Sequence, residues 1–196
     1  VITTGTTAVG IGTNVSAFGN SSVALGNNAI AGYTKTENSK IVPVGATEGV
    51  AIGNASAVES NYTVAIGGNA KVLRDTSDAT KIKDSESSVA IGASAKVRGG
   101  DALAIGSNSN TLGENSIAKV EGAQYSVALG LNANVKDSES SVAIGTRAKV
   151  EGAKYSVALG VDSKVVNSDT ATKTTGAFLT EENDDPQRGV VSIGDS

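Results

Sequence analysis

Short apolar stretches alternate with short polar stretches along the chain, and the alternation repeats. The recurring unit reads Ser-Val-Ala-Ile/Leu-Gly-x-x-Ala-x-Val, and its clearest copies start at Val89, Val127, Val142 and Val157. Further copies start at Val9, Val23, Val50, Val64 and Leu103, and degenerate copies start at Ile117 and Val191. Complete, uninterrupted copies start 14 or 15 residues apart. A fixed period of this kind predicts a stack of similar supersecondary units.

Each unit contains two short stretches that favour β-strands, Val-Ala-Ile before a glycine and then Ala-x-Val. Asn, Ser, Gly and Asp, which are typical turn residues, separate them, and no sustained helical period is present. Two strands and two turns in about 14 residues predict one coil of an all-β parallel β-solenoid. The eleven copies predict a rod on the order of 50 Å long, because stacked coils lie about 4.8 Å apart.

Some positions of the unit carry more specific predictions. The copy at Ile117 lacks the Ile-Gly step, so we expect it to distort or skip one coil. The glycine after each Ile or Leu is expected to be a corner residue that needs a permissive backbone. Tyr125 and Tyr155 precede equivalent copies, and we interpret them as structural corner residues as well.

The two strands of the unit differ in the character of their faces. In the second strand, Lys96 takes one face and the small apolar residues beside it take the other, as in a half-buried strand. In the first strand, Val142 and Ile144 share one face and Ala143 takes the other, so both faces are apolar and should be buried. We therefore expect further copies of the chain to cover this strand. We expect Val and Ile inside the coil and Ala outside, although the reverse satisfies the same parity.

Composition and charge limit the kinds of function that the chain can have. The 196 residues include no Cys, His or Met, so the commonest general base and metal ligand is missing. We predict no catalytic residue, no cofactor, no metal site and therefore no enzyme. The carboxylate-rich run at 181–185 favours a solvated loop, with a calcium site as the alternative. A net charge of −4, with Lys scattered about once per repeat, argues against nucleic acid and against membrane contact by this fragment.

Three insertions interrupt the repeat, at residues 31–48, 73–86 and 166–188. Binding often resides in loops that project from a rigid scaffold, so we expect partner-binding residues there. The candidates are Tyr33, Lys35, Arg74, Phe178 and Leu179. The last two form the best candidate for an exposed apolar anchor. The alternative is that these loops pack against a neighbouring chain and lock an assembly.

The serial Ser-Val-Ala-Ile-Gly-x-x-Ala motif, at a period near 14, resembles the YadA-like head of trimeric autotransporter adhesins from about Thr7 to Gly194. The resemblance implies a left-handed parallel β-roll of two-strand coils, assembled as a homotrimer. It identifies residues 1–196 as a single head fragment. Its closing segment, 189–196, is expected to lead to a neck that is absent from the sequence.

The resemblance also implies a function and a location. Such heads mediate bacterial attachment to host extracellular matrix proteins or host-cell receptors, and they contribute to virulence. The expected location is the bacterial cell surface, with an outer-membrane anchor through a C-terminal barrel that this fragment lacks. One alternative is a structural spacer in a surface fibre, which the varied insertions disfavour. The other is a left-handed β-helix acyltransferase, which is disfavoured because the period is not a multiple of six and the His of such enzymes is missing.

Overall fold

The chain winds into a solenoid in which each coil contributes one strand to each of two parallel sheets. The structure is a computed structural model that describes residues 1–37, 39–74, 85–108, 110–112, 123–166 and 191–193. Neighbours within each sheet come from successive coils, and every pairing within the two sheets is parallel. The predicted all-β, parallel β-roll architecture is confirmed.

Sheet 1 collects the first strand of each unit. Its members, in order, are β2 (Val9–Ile11), β4 (Val23–Leu25), β8 (Val50–Ile52), β10 (Val64–Ile66), β12 (Val89–Ile91), β14 (Leu103–Ile105), β16 (Val127–Leu129), β18 (Val142–Ile144), β20 (Val157–Leu159) and β22 (Val191–Ile193). Equivalent residues lie next to each other in neighbouring coils, so that Ala65 of β10 pairs with Ala90 of β12. Each position of the repeat therefore becomes a column along the rod.

Sheet 2 collects the second strand of each unit. Its members are β1 (Ile2–Thr3), β3 (Ser16–Ala17), β5 (Ile30–Ala31), β9 (Ala57–Val58), β11 (Lys71–Val72), β13 (Lys96–Arg98), β15 (Asn110–Leu112), β17 (Asn134–Lys136), β19 (Lys149–Glu151) and β21 (Lys164–Val166). The two remaining strands, β6 (Tyr33–Glu37) and β7 (Lys40–Val44), form a separate antiparallel hairpin. The described part of the chain contains no helix with the length and hydropathy of a membrane span.

The orientation of the first strand is the reverse of the one expected. Ala90 is fully buried inside the coil, whereas Val89 and Ile91 on either side of it lie on the outer face. The physical reason is the thinness of the core, in which a small Ala of sheet 1 lies opposite a buried Val of sheet 2, such as Val97. Protein interiors are close-packed, so turning sheet 1 over would force two large side chains per strand into that space. In sheet 2 the prediction is confirmed, with Val97 buried and Lys96 on the outer face.

Buried hydroxyl groups connect successive coils beside the alanine column. Ser141 is fully buried; its hydroxyl lies 3.0 Å from the carbonyl oxygen of Ala153 and accepts a hydrogen bond from the amide of Ser156 at 3.1 Å. The amide of Ser141 in turn donates to the hydroxyl of Ser126 at 3.2 Å. Buried polar groups are costly unless they are paired. In the copies that carry it, the Ser before the first strand is therefore a paired part of the core.

The turns explain the glycine of the repeat and its Asn and Ser residues. Gly92 has φ +125°, and a Cβ added to it would lie 2.5 Å from the carbonyl oxygen of Gly106 in the next coil. Only glycine combines that backbone with such close stacking, so the predicted corner role is confirmed. The residue two positions after the glycine has a left-handed backbone. One example is Asn28, two residues after Gly26, with φ +55°, a conformation that Asn tolerates well. Tyr125 and Tyr155 also have positive φ in turns, which confirms them as corner residues.

The insertions leave the stack without interrupting it. Sheet 1 closes directly across them, since β4 pairs with β8, β10 with β12, and β20 with β22. It also closes from β14 to β16, so the shortened copy at Ile117 adds no strand between them, and that copy lies outside the described residues. Each sheet has ten strands in the described part of the chain, which corrects the expectation of eleven coils.

Candidate functional site

All the insertions leave the rod along one edge. The three insertions follow β5, β11 and β21, which are strands of sheet 2, and each precedes a strand of sheet 1. The segment with the shortened copy, after β15, lies at the same edge. We name this edge the insertion corner; it consists of the residues that link sheet 2 to sheet 1, such as 19–22 and 138–141. Because the coils stack in register, segments far apart in sequence emerge side by side along this edge.

The first insertion forms the β6–β7 hairpin. Its register runs from the pair Tyr33 and Val44 at the base to the pair Glu37 and Lys40 near the tip. The alternating sequence of β6 and a two-residue connection favour this structure, and Ser39 in the connection has φ +62°. Insertion 31–48 is therefore a projecting element with a defined shape.

The hairpin has two different faces, because side chains alternate along a strand. Tyr33, Lys35 and Glu37 share one face of β6, where the ammonium of Lys35 contacts the carboxylate of Glu37 at 2.7 Å. The hydrogen bond from Lys35 to Glu37, with the charge of that carboxylate, raises the pKa of the Lys35 ammonium. Thr34 and Thr36 lie on the opposite face and are exposed, as is Ile41 at 76% of its surface.

The base of the hairpin contacts the start of the second insertion. The guanidinium of Arg74 lies over the ring of Tyr33, 4.1 Å from its centroid, in a cation–π arrangement. The amide of Arg74 donates a hydrogen bond to the carboxylate of Glu59 at 3.2 Å, which fixes the chain where it leaves β11. Because β5, β9 and β11 are successive strands of sheet 2, this contact spans two coils.

The structure thus brings together three of the five residues predicted to bind a partner. Tyr33, Lys35 and Arg74 form one cluster at the insertion corner, which we name the hairpin site. Phe178 and Leu179 lie outside the described residues, as do most of insertion 166–188 and the acidic run at 181–185. Partner binding by any of these residues stays a prediction.

The tyrosines add a feature that the sequence did not disclose. Tyr62, Tyr125 and Tyr155 lie in the turns of the insertion corner with φ between +53° and +57°, and they expose 55%, 58% and 48% of their surface. With Tyr33, all four tyrosines of the chain lie along this one edge. A bulky residue in the left-handed region is uncommon. Their shared position before Ser/Thr-Val-Ala indicates a turn but not their alignment with the hairpin.

A second surface of distinct character lies on the outer face of sheet 1, which we name the aliphatic face. Its side chains are those of Val9, Ile11, Val23, Leu25, Val50, Ile52, Val64, Ile66, Val89, Ile91, Leu103, Ile105, Val127, Leu129, Val142, Ile144, Val157, Leu159, Val191 and Ile193. None of them is charged or polar. Ten strands at about 4.8 Å spacing make this surface on the order of 40 Å long.

Comparison with known proteins shows which family has this architecture. The family profile described as YadA head domain repeat (2 copies) matches residues 4–29, 46–70, 85–109, 98–118, 122–148 and 137–163. These segments cover more than half of the chain. The chain belongs to the YadA head domain family. No curated protein matches the sequence.

The matched segments are the regular coils, and the insertions 31–48 and 166–188 lie mostly outside them. YadA heads are adhesive structural domains, so membership gives this chain an adhesin-type function at the cell surface as a repeat domain of a trimeric autotransporter. The described residues hold no cluster of potential metal ligands, and the sequence has no His. The family match and the coil of two sheets both disfavour the acyltransferase alternative.

Proposed function

We propose that this chain is the head of a bacterial adhesin, in which three copies assemble through their aliphatic faces and attach the cell to a host matrix protein or host-cell receptor through the insertion corner. The observation that carries the proposal is the division of the surface. The outer face of sheet 1 is aliphatic in every described strand, and the three insertions start from the opposite sheet along one edge.

The trimer accounts for the aliphatic face. Soluble monomers rarely expose long uninterrupted apolar surfaces, and here Ile11 exposes 63% and Ile193 exposes 52% of its surface. A straight rod with one apolar side covers it most simply by closed association with its own copies. The trimeric assembly typical of YadA heads supports three copies. The same proposal includes an anchor in the outer membrane for the protein that carries this head.

The hairpin site supports attachment. Tyr and Arg are the residue types that most often carry the binding energy of protein interfaces, and Tyr33 and Arg74 are held against each other at 4.1 Å. The contact orders both side chains before a partner arrives, which lowers the entropic cost of binding. The exposed tyrosines of the same edge extend the available contact surface along the rod.

A matched pair of double variants tests the attachment site. Tyr33→Ala with Arg74→Ala removes the stacked pair, and Thr34→Ala with Thr36→Ala truncates the opposite hairpin face as the control. We expect the first variant to bind host cells, or coated collagen, fibronectin or laminin, at least tenfold more weakly, since a hot-spot pair contributes about 2 kcal/mol or more. The control should bind like the unaltered head. Equal binding by all three proteins would contradict the assignment and favour the spacer alternative.

A further inference from the structure

The outer face of sheet 2 changes character along the rod. Towards one end it carries Ser16, Ile30 and Ala57. From β11 to β21 its outward side chains are largely cationic, because the residue between Ala and Val of the repeat is Lys in four of these strands. The cations of this stretch, which we name the basic column, are Lys71, Lys96, Arg98, Lys136, Lys149 and Lys164.

The period of the repeat creates this concentration of charge. In sequence the lysines are spread about one per repeat, an arrangement that argues against a basic patch. The coil has the same period, so residues one repeat apart become neighbours at about 4.8 Å along the sheet. Lys71 pairs directly with Lys96, and Lys149 with Lys164. From β11 to β21 the column is about 24 Å long at that spacing.

The column is strongly positive on a chain whose net charge is −4. Among the described outward residues from β11 to β21, Glu151 is the single carboxylate against six cations. The ammonium of Lys149 contacts it at 2.5 Å and that of Lys136 at 3.8 Å. One carboxylate between these two lysines and Lys164 leaves the local charge positive.

The lysine pairs of the column do not stabilise the fold. Like charges at directly paired positions of a sheet destabilise it, and both Lys71–Lys96 and Lys149–Lys164 are such pairs. Other outward positions of the same sheet hold neutral residues, such as Asn134, so the architecture does not require lysine. An anionic ligand that lies along the column would offset the repulsion.

The geometry points to a linear sulfated polysaccharide, bound along the basic column by its sulfate and carboxylate groups. The cations form two pairs along one column, Lys71 with Lys96 and Lys149 with Lys164, and Asn110 and Asn134 occupy the two positions between the pairs. Arg98 and Lys136 add positive charge in the neighbouring column of the same face. A group of cations extended along the rod in this way fits an extended polyanion better than a rounded acidic protein surface. The described outward residues from β11 to β21 include no aromatic side chain on which bases could stack, which disfavours single-stranded nucleic acid. The inference rests on the proposed function only in that the trimer leaves sheet 2 outward, towards the extracellular matrix.

The test measures binding of the 196-residue chain to immobilised heparin by surface plasmon resonance, with chemically desulfated heparin and duplex DNA as comparison ligands. Lys96→Glu with Lys164→Glu reverses two cations of the column and turns each like-charged pair into an attractive one, so folding is retained. Lys40→Glu with Lys154→Glu is the matched control, because it makes the same change in net charge outside the column. Circular dichroism melts verify that both variants fold.

We expect the column variant to bind heparin at least tenfold more weakly, because it loses direct contacts with the ligand. The control should change binding less than threefold, because it alters only the net charge of the head. Binding of the unaltered head should fall by on the order of a hundredfold between about 50 and 200 mM salt, and desulfated heparin should bind far more weakly. Equal losses in the two variants, undiminished binding of desulfated heparin, or tighter binding of duplex DNA would each overturn the inference. The hairpin variants leave the column intact, so they should still bind heparin. A failure of the attachment proposal can therefore be distinguished from a failure of the heparin proposal.

Discussion

The two sheets of each coil present opposite surfaces to the outside although they share one interior. The outer face of sheet 1 is aliphatic from β2 to β22, whereas the outer face of sheet 2 carries Lys, Arg, Glu and Asn over most of its length. Both sheets contribute small, fully buried residues to the core between them, such as Ala143 and Val150. The interior therefore specifies the coil, and the outer residues specify what each face meets: apolar copies of the same chain on one side and water or a charged ligand on the other.

The largest effect should come from placing charge on the aliphatic face. Val64→Asp with Val89→Asp puts two carboxylates into the proposed interface, and a buried unpaired charge costs about 3–5 kcal/mol. We expect the assembly to dissociate, as measured by sedimentation velocity. Ser16→Asp with Ala57→Asp adds the same charge to the outer face of sheet 2 and should leave the sedimentation coefficient unchanged. Equal behaviour of the two variants would refute the contrast between the faces.

An intermediate effect should distinguish the interior from the outer face of sheet 2. Ala90→Leu adds volume to the closed core, where overpacking costs about 1–3 kcal/mol. Ala57→Leu makes the identical change on an outward position and should alter stability by less than about 0.5 kcal/mol. Thermal unfolding of the two variants measures the difference. A larger loss for Ala57→Leu would contradict the assignment of Ala57 to an open outer face.

The smallest effect concerns acid stability, to which the outer face of sheet 2 contributes and the aliphatic face does not. The hydrogen bond from Lys149, with Lys136 and Lys164 nearby, holds the pKa of the Glu151 carboxyl below its usual 4.5. The folded-state pKa is thus lower than the unfolded one, so the carboxylate stabilises the head above about pH 4.5 and the contribution is lost as the pH falls through the lowered pKa. Glu151→Gln should remove less than about 1 kcal/mol at neutral pH, since both side chains of the pair are 36% exposed.

Urea titrations across that pH range provide the measurement for Glu151. The unaltered head and Glu151→Gln should differ at neutral pH and converge in acid. A difference that grows as the pH falls would have the wrong sign and would contradict the account. The aliphatic face has no titratable group among its residues, so its contribution should not follow this profile.

The sequence predicted the parts of the fold that depend on the repeat alone. The two-strand coil, the glycine corner and the outward Lys96 follow from period and parity, and all three are confirmed. The direction of the first strand did not follow, because Val89, Ala90 and Ile91 leave both faces apolar. Core thickness decides between the two arrangements, and that quantity depends on the opposing sheet rather than on the strand itself.

The candidate site was predictable only in part for a related reason. Tyr33 and Arg74 were identified separately as insertion residues, but their contact depends on how two coils stack and how the hairpin lies along the rod. The basic column was missed because lysines that are distant in sequence become neighbours only when the coil and the repeat share one period. Features that arise from stacking therefore require the register, which no single copy of the repeat contains.

The most direct test of the central claim is the mass of the isolated head in solution. The claim is that copies of this chain cover the aliphatic face of sheet 1, and light scattering coupled to size-exclusion chromatography measures the result. The account predicts three times the chain mass of 19.4 kDa at micromolar concentration. A particle of 19.4 kDa that keeps its β-sheet circular dichroism would contradict it.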